Sequence, residues 1–424
     1  MSTSATHIHW FRNDLRVNNQ PFANKLNSVQ HHFGIYFIDP RTYKHLHWGF
    51  RKTGIYRTAF LRDHLSELQT AYRKLGSDLL VLYGKPEEML PELVAKYNAS
   101  LSFQLEYATE ERTVESIIVQ KIQKDRIMAY DGNFLVHPNS FSFQEFPQSF
   151  SGFRKKVEKL LPDFQSNTKV IKSLPSSPEV FHTIRSSRAS HHPKTVFPYQ
   201  GGEMAAQERL KYYFFQTQNI DDYKRTRNGL LGTDYSSKLS PWLSIGALSA
   251  DNIYAELNQY KLQKGANEGT NWFVFELLWR DFFRHAGRHF QDKLFHASGL
   301  TNVPIPRKSD RTRFNRWALG ETGDSFIDGN MRELYHTGYI SNRGRQNAAS
   351  YLVHDLRLDW RWGAAWFEHH LLDYDVYSNQ GNWMYIAGLG FNPKGKSVFD
   401  PKFQAKMYDS NGSYSEQWSN ERII

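Results

Sequence analysis

Along the first 130 positions the apolar residues gather into short runs separated by longer amphipathic stretches. Ile8-His9-Trp10-Phe11, Phe33 to Ile38, Leu79 to Tyr83, Leu101 to Leu105 and Ile127 to Tyr130 have the length and composition of strands. Between them, Tyr56 to Leu75 and Pro86 to Tyr97 carry apolar residues at helical spacing. Such alternation predicts an α/β unit built on a doubly wound parallel sheet. From Asp131 to Gln200 the pattern loosens. Ser173 to Tyr199 is rich in Ser, Pro, His and basic residues, which predicts a connector with little regular structure. Beyond Gly201 the period is helical, over Glu203 to Gln218, Pro241 to Gln259, Asn271 to Phe290, Ser325 to Thr337, Asn342 to Asp355 and Trp362 to Leu372. The expected organisation is an α/β domain over residues 1–130, a connector over 131–200 and an all-helical domain over 201–424.

Composition narrows what such a chain does. The 424 residues suffice for two or three domains with sizeable cores. The aromatic content is unusual, with 11 Trp, 23 Tyr and 30 Phe; most belong in cores, but so much indole also suits stacking or electron transfer. A net charge of +10 points towards polyanionic partners, with a generally basic solvated surface as the plainer reading. Without cysteine there is no disulfide, no thiolate nucleophile and no iron–sulfur cluster, and no metal site is expected. No run of 18 apolar residues is present, so no membrane span is expected. A strand beginning by His7 leaves no room for a targeting leader, and the expectation is a monomeric cytoplasmic protein.

Four stretches carry candidate chemistry. Asp373-Tyr-Asp-Val-Tyr-Ser-Asn-Gln-Gly-Asn-Trp383 packs two acids, two neutral asparagines and three aromatics into eleven residues. Acids in such company need a cationic or hydrogen-bonding partner, or they neutralise, which suits the wall of a polar, aromatic ligand. Tyr223 to Pro241, YKRTRNGLLGTDYSSKLSP, brings Ser236, Ser237, Lys238, Leu239 and Ser240 to the start of a predicted helix. Hydroxyls and a lysine there form an anion seat or an ordinary cap. The helix from Asn271 puts Trp272, Phe275, Glu276, Trp279 and Phe283 on one face, with Glu276 and Arg280 four apart: either a surface ion pair and core, or a ligand wall. Arg345, in Asn342-Arg343-Gly344-Arg345, is a candidate partner for Asp373 or Asp375.

Taken together these stretches resemble the photolyase/cryptochrome family, and within it the DASH cryptochromes. The resemblance runs through Trp10-Phe11-Arg12-Asn13-Asp14-Leu15-Arg16, GFRKTG from Gly49, TRNGLLGTDYSSKLSPWL, FELLWRDFFR, GDSFIDGNMRELYHTGYISNRGRQN and LLDYDVYSNQGNWMYIAG, and covers nearly the whole chain. It implies a bent FAD in the helical domain, contacted by Tyr223, Ser236, Ser237, Lys238, Leu239, Ser240, Arg280, Asn342, Arg345, Asp373, Asp375 and Asn379, with Asn379 beside flavin N5. It implies light-driven repair of cyclobutane pyrimidine dimers in DNA by electron donation from the reduced flavin. Glu276 would hydrogen-bond the dimer, Trp279 and Tyr385 would wall it, and Arg227, Asn342, Gln346 and Gln404 would stand at DNA-contacting positions. Tyr385 and Gln346 replace the Trp and Met of duplex-acting enzymes, which implies a preference for single-stranded or looped DNA. Glu106 matches a contact to an antenna pigment, 5,10-methenyltetrahydrofolate. Trp383 and Trp360 match the inner members of a tryptophan relay whose outermost position is Arg307, which implies either that another aromatic, such as Trp317 or a tyrosine, substitutes or that photoreduction is slower and external reductants matter more. The alternative function is a DASH-type blue-light photoreceptor or regulator that binds FAD and nucleic acid with little repair.

Overall fold

The computed structural model describes residues 5–143, 145–161, 170–187, 190–301, 309–421 and 423. Five parallel strands form one sheet: β1 Thr6–Trp10, β2 His31–Ile38, β3 Leu79–Tyr83, β4 Ala99–Gln104 and β5 Ile127–Tyr130, in the order β3-β2-β1-β4-β5. Parallel neighbours require crossovers, and the crossover helices bury both faces of the sheet. On one face Ile8, Trp10, Phe33, Ile35 and Leu101 pack with Leu90 and Val94 of the Pro86–Lys96 helix and Val114 and Ile118 of the Thr109–Lys121 helix. On the other, Phe11 and Leu79 meet Leu65, Leu68 and Tyr72 of the Ile55–Lys74 helix. The Thr109–Lys121 helix goes unpredicted by periodicity because it buries only Val114, Glu115 and Ile118, too few apolar residues to register a stripe.

The segment 131–200 is mostly irregular, as its composition predicts, yet it is not loose. Among its described residues the one α-helix, Phe150–Val157, buries Phe150, Phe153 and Val157, and the stretch around Phe181 hydrogen-bonds Asp78. Beyond it the helices are Glu203–Lys211, Ser240–Ser244, Ala250–Lys264, Glu268–Phe290, Arg311–Ala318, Ser325–Thr337, Asn342–Ser350, Trp360–His370, Val376–Ala387, Pro401–Tyr408 and Ser413–Ser419, with shorter turns between. The helix expected over Pro241 to Gln259 is two. Gly246 divides them at φ 73°, where a Cβ would lie 2.0 Å from the Asn13 carbonyl oxygen of the sheet domain. A domain contact, invisible to periodicity, forces the break. The run Asp373 to Trp383 proves to be a helical start: Asp375 accepts from the Ser378 N–H at 2.7 Å and caps the Val376–Ala387 helix.

The two domains are joined by a buried polar clasp. Arg284, on the Glu268–Phe290 helix, pairs with Glu106 at 3.2 Å, with side chains 3% and 1% exposed. Glu106 also accepts from Tyr377 Oη at 2.7 Å, Gln104 Nε2 at 2.8 Å and Asn13 Nδ2 at 3.1 Å. Asp281, one turn earlier on the same helix, accepts the backbone N–H groups of Leu135 and Val136. The clasp therefore ties the end of β4 to the helices that line the cavity described next.

Candidate functional site

A cavity of about 400 Å³ opens in the helical domain, and a second of about 100 Å³ adjoins it through the shared walls Asn342, Arg345, Gln346, Asp373 and Asp375. The 236–240 loop lines the larger cavity with Ser236, Ser237, Lys238, Leu239 and Ser240. Arg209 fixes that loop from behind: its guanidinium donates to the carbonyls of Ser236 and Ser237 and pairs with Asp234 at 2.8 Å. A planar fork with several donors can hold a loop in one shape where a lysine would not. From Glu268–Phe290 come Phe275, Glu276, Trp279, Arg280 and Phe283; from Asn342–Ser350 come Asn342, Arg345 and Gln346. The Val376–Ala387 helix contributes Ser378, Asn379, Asn382, Trp383 and Ile386 to the smaller cavity, at the i, i+3, i+4 spacing of one helical face.

The electrostatics of these walls are incomplete without a ligand. Asp373 Oδ2 accepts from Arg345 Nη2 at 2.9 Å and from Ser240 Oγ at 2.6 Å, but its buried Oδ1 has no partner. Lys238, 1% exposed and at φ 61°, has an unpartnered Nζ 3.1 Å from the Tyr235 ring centroid. Burial lowers its pKa well below the ordinary lysine value, more than the buried carboxyl of Glu333 restores. The Gln346 Oε1 is also buried and unpartnered. Such groups are costly unless something satisfies them. An anion at Lys238 and a hydrogen-bond donor at Asp373 would do so.

Glu276 and Arg280, four apart on one helix, do not pair. Glu276 forms an ion pair with Arg227 at 2.8 Å and accepts from Trp272 Nε1 at 3.0 Å, while Arg280 donates to the Asn133 carbonyl at 2.7 Å. Burial raises the Glu276 carboxyl, and Arg227 and Trp272 only partly reverse it. Trp279 stacks on Phe150 at 4.0 Å and meets Tyr385 edge-on at 5.9 Å. Asn379 donates Nδ2 to the Ala364 carbonyl at 3.0 Å, so its carbonyl oxygen is the atom available for a ligand donor.

Of the residues picked out by sequence, Tyr223, Arg227, Ser236 to Ser240, Glu276, Trp279, Arg280, Asn342, Arg345, Gln346, Asp373, Asp375 and Tyr385 line the larger cavity, and Asn379 and Trp383 the smaller. Three lie elsewhere. Gln404 is buried on the Pro401–Tyr408 helix, 8% exposed, and lines neither cavity, so a direct DNA contact does not fit it. Trp360 is fully buried, with its indole N–H on the Ala297 carbonyl. Glu106 is a correction: four protein donors already occupy both its oxygens, so it serves the clasp and has no direction left for a pigment. Arg307 lies outside the described residues. The anion seat is also revised, since the helix after Lys238 is only five residues, Ser240–Ser244, and the seat rests on side chains more than on a helix dipole. Sequence reading missed Ser378, Asn382 and Tyr339 on the walls and Arg209 behind them. The first two share the spacing of Asp375, Asn379 and Trp383; Arg209 carried no signal, because its hydrogen-bond partners lie 24 residues and more away.

Comparison with known proteins settles what kind of cavity this is. Residues 7–176 match the family model described as DNA photolyase, and residues 273–422 match the FAD binding domain of DNA photolyase. A cryptochrome DASH of Synechocystis is 41% identical over 98% of this chain and 88% of its own length. The chain belongs to the photolyase/cryptochrome family, in its DASH group. Among solved structures, the Synechocystis cryptochrome superposes with a TM-score of 0.91 at 40% identity, covering 97% of this chain and 88% of that one. A photolyase of Sulfolobus tokodaii, solved with two FAD molecules, gives 0.78 at 26% identity over 98% of this chain and 90% of that one. The DASH member described here thus carries a FAD-binding helical domain on a parallel-sheet α/β domain. Its unpartnered groups fit that cofactor: a cation for a diphosphate at Lys238, an acid for a polar hydrogen at Asp373, and the apolar Trp383, Phe367 and Leu371 for a ring system. No described helix is long and apolar enough to cross a membrane.

Proposed function

We propose that this DASH protein repairs cyclobutane pyrimidine dimers in single-stranded or looped DNA under blue light. The observation that carries the reading is Glu276. It stands on the cavity wall, held by Arg227 and Trp272, with the Trp279 and Tyr385 rings on the same wall. A carboxyl raised by burial spends more time protonated, and in that state it can donate a hydrogen bond to a pyrimidine carbonyl. The aromatic rings offer flat apolar faces to two linked pyrimidines swung out of their strand.

Ser236 to Ser240 and Lys238 would hold the FAD diphosphate, Arg345, Asp373, Asp375 and Arg280 would flank the ring system, and the Asn379 carbonyl would accept from a ring N–H. Bound and reduced, FAD supplies the electron donor that light excites. The chain's own residues orient the dimer against it, keep water from the ring face, and present the Glu276 carboxyl to it. Extruding a dimer costs least where the strand is already unpaired. Gln346, polar and half-buried on the same wall, offers less apolar contact to offset that cost in a duplex. The net charge of +10 supports the sequence-independent part of DNA binding. A methenyltetrahydrofolate antenna in the α/β domain would have to be held by groups other than Glu106.

The test is illumination of the reduced protein with a thymine-dimer oligonucleotide, first single-stranded and then duplex. Dimers should disappear from the single strand at least tenfold faster. Loss in neither substrate refutes repair and leaves the photoreceptor reading in its place.

A further inference from the structure

We propose that Trp272 is a positioning residue: its indole N–H commits one oxygen of Glu276 and leaves the other, Oε2, to meet a pyrimidine dimer. The inference deepens the repair reading above and rests on the part of it that puts Glu276 at the dimer. Trp272 lines neither cavity, so whatever it does at the site it does through a neighbour. That neighbour stands four residues on. Trp272 Nε1 donates to Glu276 Oε1 at 3.0 Å, and Arg227 Nη1 approaches the same Oε1 at 2.8 Å. No protein donor among the described residues reaches Oε2. Arg227 and Glu276 both line the larger cavity, with side chains 19% and 28% exposed, so the uncommitted oxygen belongs to a residue of the cavity wall.

The arrangement is fixed from two sides. Asn267 and Thr270 cap the Glu268–Phe290 helix reciprocally, and the helix then sets Trp272 and Glu276 one above the other on successive turns. Arg227 follows the short Tyr223–Thr226 turn, whose Tyr223 meets Phe273 edge-on at 5.0 Å and whose Lys224 pairs with Glu268. The Arg227 guanidinium lies over the Trp272 ring, 5.3 Å from its centroid, and Lys224 Nζ lies over it at 4.8 Å. Indole, guanidinium and carboxyl thus close a triangle. An arginine alone before a carboxylate favours a fork, one N–H to each oxygen. That geometry would occupy both oxygens, and the indole N–H on Oε1 opposes it. The same crowding places the proton. With an N–H and a guanidinium on Oε1, a protonated carboxyl carries its hydrogen on Oε2, which is then the donor available to a pyrimidine carbonyl. Cations already over the indole make it a poor face for a base, so its N–H and not its ring is the functional end.

The test uses the full-length protein with FAD, in the dark. Fluorescence anisotropy compares binding to a single-stranded oligonucleotide with one thymine dimer and to the same strand undamaged. Trp272→Phe keeps a ring and loses the donor, whereas Trp272→Gln loses the ring and keeps a donor on the helical face of Glu276. Preference for the dimer strand should fall about fivefold in Trp272→Phe, the net worth of one hydrogen bond, and about twofold or less in Trp272→Gln. Affinity for the undamaged strand should stay at the wild-type level in both. In a Glu276→Ala background, Trp272→Phe should change nothing further. A Trp272→Gln protein that discriminates less than Trp272→Phe, or a Trp272→Phe effect that persists without Glu276, overturns the inference, because the indole would then serve packing or stacking. Flavin absorbance reports folding, and if Trp272→Gln releases FAD the cycle with Glu276→Ala decides. A wild type without dimer preference overturns the inference too. Dimer preference in the dark without dimer loss under light overturns the repair reading and leaves the role of Trp272 standing.

Discussion

Two buried carboxylates, each bridged to an arginine, teach different lessons. Glu106 lies between the domains with Arg284, and Asp373 lies at the cavity with Arg345. Both side chains are almost fully buried, at 1% and 3% exposure. Glu106 meets four protein donors and leaves nothing over, and although burial pushes its carboxyl up, Arg284 and Arg12 more than reverse this. Asp373 keeps one oxygen unpartnered, and its arginine remains 24% exposed. A buried ion pair is weak evidence of function by itself. What separates these two acids is a cavity wall together with unsatisfied hydrogen-bonding capacity, both present at Asp373 and absent at Glu106.

Removing one acid from each pair is the largest test of that contrast. Glu106→Ala strands the Arg284 guanidinium in the domain interface and should cost about 3–5 kcal/mol in chemical denaturation. Asp373→Asn leaves Arg345 with access to water and should cost about 1 kcal/mol, while weakening FAD retention roughly tenfold through one charge-assisted hydrogen bond. The reverse ranking, with Asp373 dominating stability and Glu106 dominating FAD retention, would break the distinction.

Glu333 sharpens it from a third side. This buried carboxyl accepts from Tyr414 Oη at 2.6 Å, its Oε1 has no partner, and burial raises it from 4.5 to about 8. Between those two values the folded protein keeps a proton that the unfolded chain has released. Stability should therefore fall as pH rises through that window, by up to about 1.4 kcal/mol per unit. Glu333→Gln should flatten the slope in a series of thermal melts; an unchanged slope would place the titration elsewhere. Tyr377→Phe probes the clasp alone. It removes the hydroxyl that donates to Glu106 and accepts from the Tyr107 N–H, costing about 1–2 kcal/mol. FAD content measured by absorbance should be unchanged, since the loss falls on the saturated side of the comparison.

Legibility in the sequence followed the same division. β3 and β5, and the Ser325–Thr337 helix, lie at the residues their patterns predict, because each is a compact apolar run or a clear stripe with its own start signal. The Thr109–Lys121 helix was illegible for lack of buried apolar residues, and the break at Gly246 because its cause is Asn13, far away in the chain. At the site, Asp373, Asp375, Asn379 and Trp383 stood out by being polar and aromatic together. Ser378 and Asn382 did not, since neither residue type is unusual until the helix that aligns them is known. Arg209 looked like any surface arginine until folding buried it behind the 236–240 loop.

By itself the sequence determined the sheet-then-helix order, the family, and the residue types that meet at the cavity, because periodicity and long ordered motifs are written in consecutive positions. Tertiary structure alone decided which arginine each acid would meet. Glu276 went to Arg227 and not to Arg280, and Glu106 to Arg284 and not to a ligand. The physical reason is that desolvation and pairing depend on distances between remote elements. Only the packed chain shows which polar atoms are left unpaired, and Lys238 Nζ, Gln346 Oε1 and Asp373 Oδ1, at the cavity that fits FAD, are among them.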